Sequence, residues 1–298
     1  MINFISSIFR YINLKTKVSF ARLFIWWKGG WPKAFPNSIL QIPSRDRGRT
    51  IKAHVYGTIS SEKPGPVLIN LHGSGFVFPL HGSDDKFCRL VSDKTNNTVL
   101  DIQYRLAPEH PWPAAVDDAE DVVRYVLQRP QKFDPSRISI SGFSAGANLS
   151  LVQAGVIFPK DTFRSMICFY PPTDLSIEPG DKVAPDPSGH PIPPAMARTF
   201  DACYRLPGTD SKDPRISPVF APTETYPQNV LMISCACDSL CDEAERVATN
   251  IEAAGGDRNV VRQRMEHCDH AWDKSAKGAV QKKARDDAYA LAVEMLTT

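Results

Sequence analysis

The sequence predicts an α/β fold in which a mostly parallel sheet is covered by helices on both faces. From about residue 50, short apolar segments alternate with helix-like segments, which is typical of parallel strands joined by crossover helices. The 298 residues contain no internal repeat and no low-complexity linker. We therefore expect a single domain over residues 1–298.

Short apolar runs define the predicted strands, and longer amphipathic runs define the predicted helices. The strands are predicted at Ile51–Tyr56, Pro66–Leu71, Val99–Gln103, Arg137–Ser141, Met166–Tyr170, Val230–Cys235 and Val260–Met265. The helices are predicted at Asp84–Thr95, Ala114–Leu127, Ala145–Ile157, Asp242–Ala254 and Val280–Leu296. In the fourth helix, Ala244, Val247, Ala248 and Ile251 recur at helical spacing, and Gly255 ends the segment.

Two segments do not fit this alternation: about 1–45 and about 175–215. Long excursions from a compact domain are usually binding loops or lids, so we expect both to form a cap over the carboxyl edge of the sheet. Four apolar residues of the first segment fall on one helical face: Ile5, Ile8, Phe9 and Ile12. We expect this face to lie over the mouth of a binding pocket, with Trp26, Trp27 and Trp31 nearby.

The same apolar face is compatible with a helix that lies on a lipid surface. Arg10, Lys15 and Lys17 would assist such binding. We favour the cap because only a few basic residues accompany the face.

Composition excludes several functional classes. The net charge of +2 and the absence of a basic cluster predict no nucleic-acid partner. No 18-residue apolar run is present, and the N-terminus lacks the features of a secretory signal, so we expect a cytoplasmic protein without stable membrane insertion. The seven cysteines are an odd number and lie mostly in apolar runs, which indicates reduced thiols packed as small hydrophobic residues.

The segment "RISISGFSAGANLS", residues 137–150, predicts a nucleophilic serine at a sharp turn between a strand and a helix. Gly142 and Gly146 flank Ser144 where side chains would clash with the strand and helix, and the helix N-terminus supplies N–H groups for a developing oxyanion. A tight turn with a buried serine would show the same short pattern. The strand before Ser144 and the helix after it favour the nucleophile.

A second glycine-rich segment follows the strand "LINL" as His72-Gly73-Ser74-Gly75. Alone, it would be explained by a turn after a strand. Together with the Ser144 turn, it predicts an oxyanion hole formed by the N–H groups of Gly73, Ser74 and Ala145.

These motifs resemble those of the hormone-sensitive-lipase branch of the α/β-hydrolases over about residues 50–275. The matching segments are "HGSGF", "YRLAPEHPWPAAVDDA", "GFSAGANL", "YPPTDLS", "DPRISPVFA" and "CDSLCDEAERVATNIEAAGG". The resemblance implies an eight-stranded sheet with an N-terminal and inserted cap. "HGSGF" and "HAWDK" are most similar to fungal members, many of which act on esters in secondary metabolism.

A nucleophilic serine needs a base and an acid that orients the base. Asp238, Asp242 and Glu243 follow the strand that ends near Cys235; Asp238 lies in the loop, whereas Asp242 begins a helix and is better suited to an N-cap role. The resemblance also places the acid at Asp238. It points to His270 as the base, with His267 as the alternative.

Aromatic residues near these motifs are candidates for an apolar pocket wall, although such a residue is more often part of the core. We single out Phe76, Phe143 and Trp272. Two residues depart from the family pattern. Ser74 replaces a glycine and would add a hydroxyl to the pocket or narrow it, and Phe143 stands where many relatives carry a polar residue.

The resemblance and the motifs together predict a serine carboxylesterase that hydrolyses a small or medium apolar or aromatic ester through an acyl-enzyme on Ser144. The chemistry requires no metal and no organic cofactor. A biosynthetic enzyme that uses the same triad for acyl transfer, cleavage or cyclisation is the alternative, and a ligand receptor on the same fold is the non-enzymatic one. A homodimer is possible.

A metal site is a further alternative. Its candidate ligands are Cys235, Cys237, Cys241, His267, Cys268 and His270. Their spacing matches no common zinc pattern, which disfavours the site.

Overall fold

The centre of the molecule is a twisted eight-stranded sheet. The computed structural model describes residues 2–60 and 63–297, with side chains from Ser6 onward. The strands are β1 (Ser38–Pro43), β2 (Thr50–Tyr56), β3 (Gly65–Leu71), β4 (Thr98–Ile102), β5 (Phe133–Phe143), β6 (Ser165–Phe169), β7 (Asn229–Cys235) and β8 (Asn259–Met265). Their order across the sheet is β1-β2-β4-β3-β5-β6-β7-β8.

Only the β1 end of the sheet is antiparallel. Strand β2 pairs antiparallel with both β1 and β4, and all pairs from β4 to β8 are parallel. The central strands β4 and β6 are buried along their whole length, as expected for parallel strands covered on both faces. The predicted α/β class with a mostly parallel eight-stranded sheet is confirmed.

Helices on both faces bury these strands. The helices are α1 (Ile2–Gly29), α2 (Asp85–Thr95), α3 (Ala114–Leu127), α4 (Ala145–Val152), α5 (Pro194–Tyr204), α6 (Cys241–Ala253) and α7 (Gly278–Thr297). One face is covered by α2 and α7, and the other by α3, α4 and α6. Helix α4 continues as a π-helical turn through Gln153–Ile157.

The two segments predicted to form a cap contain regular structure that the sequence pattern did not predict. Residues 38–43 form the edge strand β1 and are not part of a cap. The short alternation of apolar and polar residues in "SILQIP" could have predicted this strand. The second segment contains α5, which packs near α1. The division of the chain into one domain with a cap remains a prediction.

Candidate active site

Ser144 occupies a strained turn between β5 and α4. Its backbone has φ 51° and ψ −120°, a conformation that non-glycine residues rarely adopt. Its N–H donates to the carbonyl of Phe169 at 2.9 Å, which ties the turn to the neighbouring strand. The serine side chain is thereby held at the carboxyl edge of the sheet.

The glycines on either side of this turn are required by close backbone approach. A Cβ on Gly142 would lie 2.3 Å from the carbonyl carbon of Gly146, and a Cβ on Gly146 would lie 1.9 Å from the carbonyl oxygen of Leu71. Neither space admits a side chain, because the neighbouring atoms belong to the backbone. This accounts for the Gly-x-Ser-x-Gly spacing.

Asp238 and His270 lie beside Ser144 in a hydrogen-bonded chain. His270 Nε2 is 2.9 Å from Ser144 Oγ, and His270 Nδ1 is 2.6 Å from Asp238 Oδ2. Asp238 is fully buried, and Ser144 and His270 keep only small exposed fractions. The structure therefore brings together the three residues that the sequence singled out as nucleophile, acid and base.

Two backbone hydrogen bonds join the loops that carry the acid and the base. The Ala236 N–H donates to the Met265 carbonyl at 3.0 Å, and the Cys237 N–H donates to the Cys268 carbonyl at 3.1 Å. These loops follow the adjacent parallel strands β7 and β8. Because the carboxyl ends of parallel strands meet at one edge of the sheet, Asp238 and His270 lie at the same edge.

The alternative candidates lie away from this chain. His267 is largely exposed, and its Nδ1 contacts Asp186 Oδ2 at 3.1 Å. Asp242 is exposed in the first turn of α6, where Leu240 occupies the N-cap position, so the predicted N-cap role of Asp242 is wrong.

The loop after β3 approaches Ser144 closely. A Cβ on Gly73 would lie 3.5 Å from Ser144 Cβ, and among the described residues no backbone carbonyl accepts the N–H of Gly73 or Ser74. Ala145 is the first residue of α4, where N–H groups lack partners within the helix. The three N–H groups proposed for an oxyanion hole thus come from segments that meet at Ser144.

The side chain of Ser74 stabilises its own loop. Its Oγ lies 2.7 Å from the Tyr104 hydroxyl and accepts the Phe76 N–H at 2.9 Å, while Tyr104 donates to the His72 carbonyl at 2.6 Å. This hydroxyl is therefore engaged within its own loop, while Ser74 as a residue lines the cavity near Ser144. Tyr104 belongs to the segment "YRLAPEH", so this motif supports the loop after β3.

Comparison with known proteins places this geometry in a family. The model of a family described as having the alpha/beta hydrolase fold matches residues 68–273. The chain belongs to this family.

Several relatives are named as ester hydrolases. The ethyl acetate hydrolase of Pseudomonas putida is 28% identical over 225 residues, which cover 73% of this chain and 70% of the relative. The versiconal hemiacetal acetate esterase of the fungus Dothistroma septosporum is 24% identical over 220 residues, which cover 69% and 66%. A solved structure, a hyperthermophilic esterase from the archaeon Pyrobaculum calidifontis, is 25% identical and matches with a TM-score of 0.77 over 97% of each chain. The chain is a carboxylic ester hydrolase.

Above Ser144, the esterase encloses a cavity of about 1080 Å³. Ser144 and His270 lie in its wall together with Gly73 and Ser74. Much of the remaining wall is apolar and comes from the loops after β3 and β6 and from α5: Phe76, Phe78, Leu80, Tyr170, Leu175, Ile192, Met196 and Phe200. The triad therefore faces a pocket suited to apolar groups.

Two of the three aromatic residues predicted to line the pocket do not reach it. Phe143 is fully buried between Phe87 and Phe169 beneath the site, and Trp272 packs against Tyr170. Both predictions are wrong because these side chains point into the core on the side of α2 and α7. Phe76 lines the cavity, with its ring stacked on Tyr204 at 3.7 Å.

Two buried carboxylates, Asp84 and Asp273, and the partly exposed Lys274 form an ion cluster near His270 that was missed from the sequence. Lys274 Nζ lies 2.8 Å from Asp84 and 2.9 Å from Asp273, and Asp273 also accepts hydrogen bonds from Tyr170 at 2.6 Å and Tyr289 at 2.7 Å. Burial opposes ionisation of Asp273, but Lys274 and the two phenols lower its pKa. The sequence shows Asp273 and Lys274 shortly after His270. It does not show that Lys274 pairs with Asp84, which is about 190 residues away in the chain.

The cysteines and histidines that are candidate metal ligands do not form a group with metal-ligand proximity in the described part of the chain. All seven cysteines are free and buried. Across residues 2–60 and 63–297, the group with metal-ligand proximity is His54, His81 and Asp101. The rings of His54 and His81 stack with centroids 3.9 Å apart, and His81 Nε2 lies 3.3 Å from Asp101 Oδ2.

No described helix combines the length and the apolar character that a bilayer crossing requires.

Proposed function

We propose that this carboxylesterase hydrolyses a small or medium apolar or aromatic ester through an acyl-enzyme formed on Ser144. One observation carries the proposal: Ser144, His270 and Asp238 form a hydrogen-bonded chain that opens onto a largely apolar cavity. Nucleophile, base and orienting acid are the groups that acyl transfer from an ester requires.

Each residue then has a distinct role. Ser144 Oγ attacks the ester carbonyl while His270 Nε2 accepts its proton, and Asp238 holds the imidazole through Nδ1–H. The N–H groups of Gly73, Ser74 and Ala145 stabilise the oxyanion. The protonated His270 then donates its proton to the leaving alcohol. Water, deprotonated by the same histidine, attacks the acyl-enzyme and releases the acid.

The names of two relatives support a substrate with a short acyl group. Two relatives are named for acetate esters, those of ethyl acetate and of versiconal hemiacetal. A cavity of about 1080 Å³ is much larger than an acetyl group, which leaves room for an apolar or aromatic alcohol portion. Acetyl esters of aromatic alcohols are the first substrates to test.

The experiment compares Ser144→Ala with the wild type on p-nitrophenyl esters of increasing acyl length, together with a fluorophosphonate probe. We expect Ser144→Ala to reduce kcat by at least about 10³-fold and to abolish labelling. Ser239→Ala is the matched control, because Ser239 also lines the cavity. Labelling of another residue, or retained activity in Ser144→Ala, would refute the acyl-enzyme on Ser144; ester binding without turnover would favour the receptor.

A further inference from the structure

The outward face of α1 is an exposed apolar stripe. Five large side chains on this face are each more than half exposed: Phe9, Ile12, Phe20, Leu23 and Trp27. They recur at helical spacing, with Thr16 between them, and run over about 27 Å of the helix. Monomeric soluble proteins rarely expose a continuous apolar surface of this length.

The opposite face of α1 attaches the helix to the body of the protein. Val18 is buried against Val77, Ala107 and Cys203. Arg22 donates to the carbonyl oxygens of Val77 and Ala107, both at 2.9 Å. The position of α1 is therefore fixed without any contribution from its outward stripe.

An ion cluster strengthens this attachment. Glu109 accepts hydrogen bonds from Arg22, at 2.5 and 3.0 Å, and from Lys15. Burial would raise the pKa of Glu109, but its hydrogen bonds with Arg22 and Lys15 prevail and lower it to about 2. The carboxylate stays charged at neutral pH and holds α1 by its inner face.

The predicted placement of the apolar face over the pocket mouth is therefore wrong. Ile8, Phe9 and Ile12 are exposed and do not line the cavity, and the side chain of Ile5 lies outside the described residues. Trp26 and Trp27 are also exposed, whereas Trp31 lines the cavity. The reason is that α1 uses Val18 and the basic side chains of its other face to contact the protein.

The charge of α1 indicates what kind of surface binds the stripe. All charged residues of this helix are basic, and none is acidic: Arg10, Lys15, Lys17, Arg22 and Lys28. Lys17 and Lys28 are exposed beside the stripe, and the tryptophans Trp26 and Trp27 lie at its C-terminal end. Basic side chains beside an apolar stripe, with tryptophan at one end, match an anionic lipid surface.

The same charges disfavour a second copy of α1 as the occupant. Paired helices commonly place acidic side chains opposite basic ones beside the apolar seam. Two α1 helices would instead bring lysines together with no acidic partner on either helix. An anionic surface gives Lys17 and Lys28 the complementary charge that a second α1 lacks.

The C-terminal end of α1 leads into the wall of the cavity, where Gly30 and Lys33 are exposed and so lie at its rim. Gly29, at the end of α1, lines the cavity together with the following residues through Lys33. Phe35, just beyond them, is 70% exposed. A surface that receives the stripe would therefore lie next to the opening through which an apolar ester enters.

We propose that the outward face of α1 binds peripherally to the surface of an anionic lipid bilayer and places the cavity mouth at that surface. The face enters the boundary between headgroups and acyl chains, and Lys17 and Lys28 contact anionic headgroups. The contact is reversible because one amphipathic helix face buries a limited apolar area. It gives the esterase access to apolar esters dissolved in the lipid.

The test measures flotation of the full chain with vesicles of phosphatidylcholine alone and of equal parts phosphatidylcholine and phosphatidylglycerol. We expect binding to the anionic vesicles that weakens at high salt. Phe20→Glu combined with Leu23→Glu should reduce binding by on the order of tenfold to a hundredfold, because two apolar side chains no longer enter the lipid. Val280→Glu is the matched control, since Val280 is 68% exposed on α7.

Two further measurements keep the inference separate from the proposed ester chemistry. Turnover of soluble p-nitrophenyl acetate should be equal in the wild type and in the Phe20→Glu/Leu23→Glu variant, which reports both folding and an intact site. Lys17→Glu combined with Lys28→Glu should remove the preference for anionic vesicles.

Three results would overturn the inference. Wild-type chain that does not float with anionic vesicles refutes it, as does equal flotation of the Phe20→Glu/Leu23→Glu variant. Light scattering that reports a wild-type dimer and a monomeric variant, without vesicle binding, would assign the stripe to self-association. Loss of ester turnover alone bears on the triad and not on α1.

Discussion

The carboxyl edge of the sheet and the helix α1 border the same cavity but are built in opposite ways. At the sheet edge, polar side chains are buried and joined by hydrogen bonds, as in the chain from Ser144 to Asp238. On α1, large apolar side chains such as Phe20 and Trp27 are exposed, and one face alone contacts the protein.

This difference predicts which substitutions the fold tolerates. A buried polar group loses its partners when a neighbour is removed, and nothing replaces them. An exposed apolar side chain has no partner to lose, so its replacement changes what the surface contacts rather than how the chain folds. We expect effects on turnover and stability to be concentrated at the sheet edge and effects on association at α1.

The sharpest test within the sheet edge uses the paired candidates for acid and base. His270→Ala and Asp238→Asn should each reduce kcat by on the order of 10³-fold or more, because the serine loses its base or the base loses its orientation. His267→Ala, on the same loop as His270, and Asp242→Asn, in the first turn of α6, are matched controls and should retain nearly full activity. A reversed order within either pair, measured on p-nitrophenyl acetate, would reassign that role.

A second prediction concerns the ion cluster near His270. Lys274→Met should destabilise the fold by about 3 kcal/mol, because Asp84 and Asp273 are left buried without their cation. Lys86→Met is the control. Lys86 pairs with Asp286 at 3.5 Å between exposed side chains, so its loss should cost less than about 1 kcal/mol. Urea denaturation of both variants checks the difference, and equal effects would contradict it.

The pH dependence of stability tests the burial of Asp201 on α5, at one side of the cavity. Burial raises the pKa of Asp201, which lines the cavity, from 3.8 to about 6, although Arg205 and Lys182 oppose the shift. The folded chain therefore retains this proton up to about pH 6, whereas the unfolded chain releases it near 3.8, so stability falls as pH rises through this window.

Asp201→Asn removes this titration. At about pH 7.5 the variant should be more stable than the wild type by on the order of 1–2 kcal/mol, or a few °C in Tm, because no carboxylate is desolvated. At about pH 3.5 the two proteins should unfold at nearly the same temperature. Calorimetry at both pH values checks the prediction, and a gain that does not depend on pH would contradict the assignment to Asp201.

The smallest effect is expected on the outward face of α1. Phe9→Ser and Leu23→Ser should each change the free energy of unfolding by less than about 0.5 kcal/mol, since neither side chain is packed. Val18→Ser, on the buried face of the same helix, should destabilise by about 1–3 kcal/mol. Thermal unfolding of the three variants compares the faces directly, and a large effect of Leu23→Ser would show that the stripe is packed in solution.

Some of these features follow from local sequence. The Gly-x-Ser-x-Gly turn was predictable because Gly142 meets the backbone of Gly146 and Ala147, only a few residues away. Gly146 itself packs against the backbone of Leu71, on a strand distant in sequence. Parallel strands could be predicted because strands that are buried on both faces consist of uninterrupted apolar runs, as in β6. Asp238 and His270 follow consecutive predicted strands, so the sequence places both loops at the carboxyl edge of a parallel sheet, and the family resemblance singles out His270.

Other features depend on contacts between segments distant in sequence. The pairing of Lys274 with Asp84 joins residues from different elements, and the burial of Phe143 depends on α2 packing over β5. For α1, the sequence determined an apolar face but not the direction in which it points. Tertiary structure decided that direction, because Val18 and the bonds from Arg22 to Val77, Ala107 and Glu109 fix the inner face and leave Phe9, Phe20 and Trp27 facing outward.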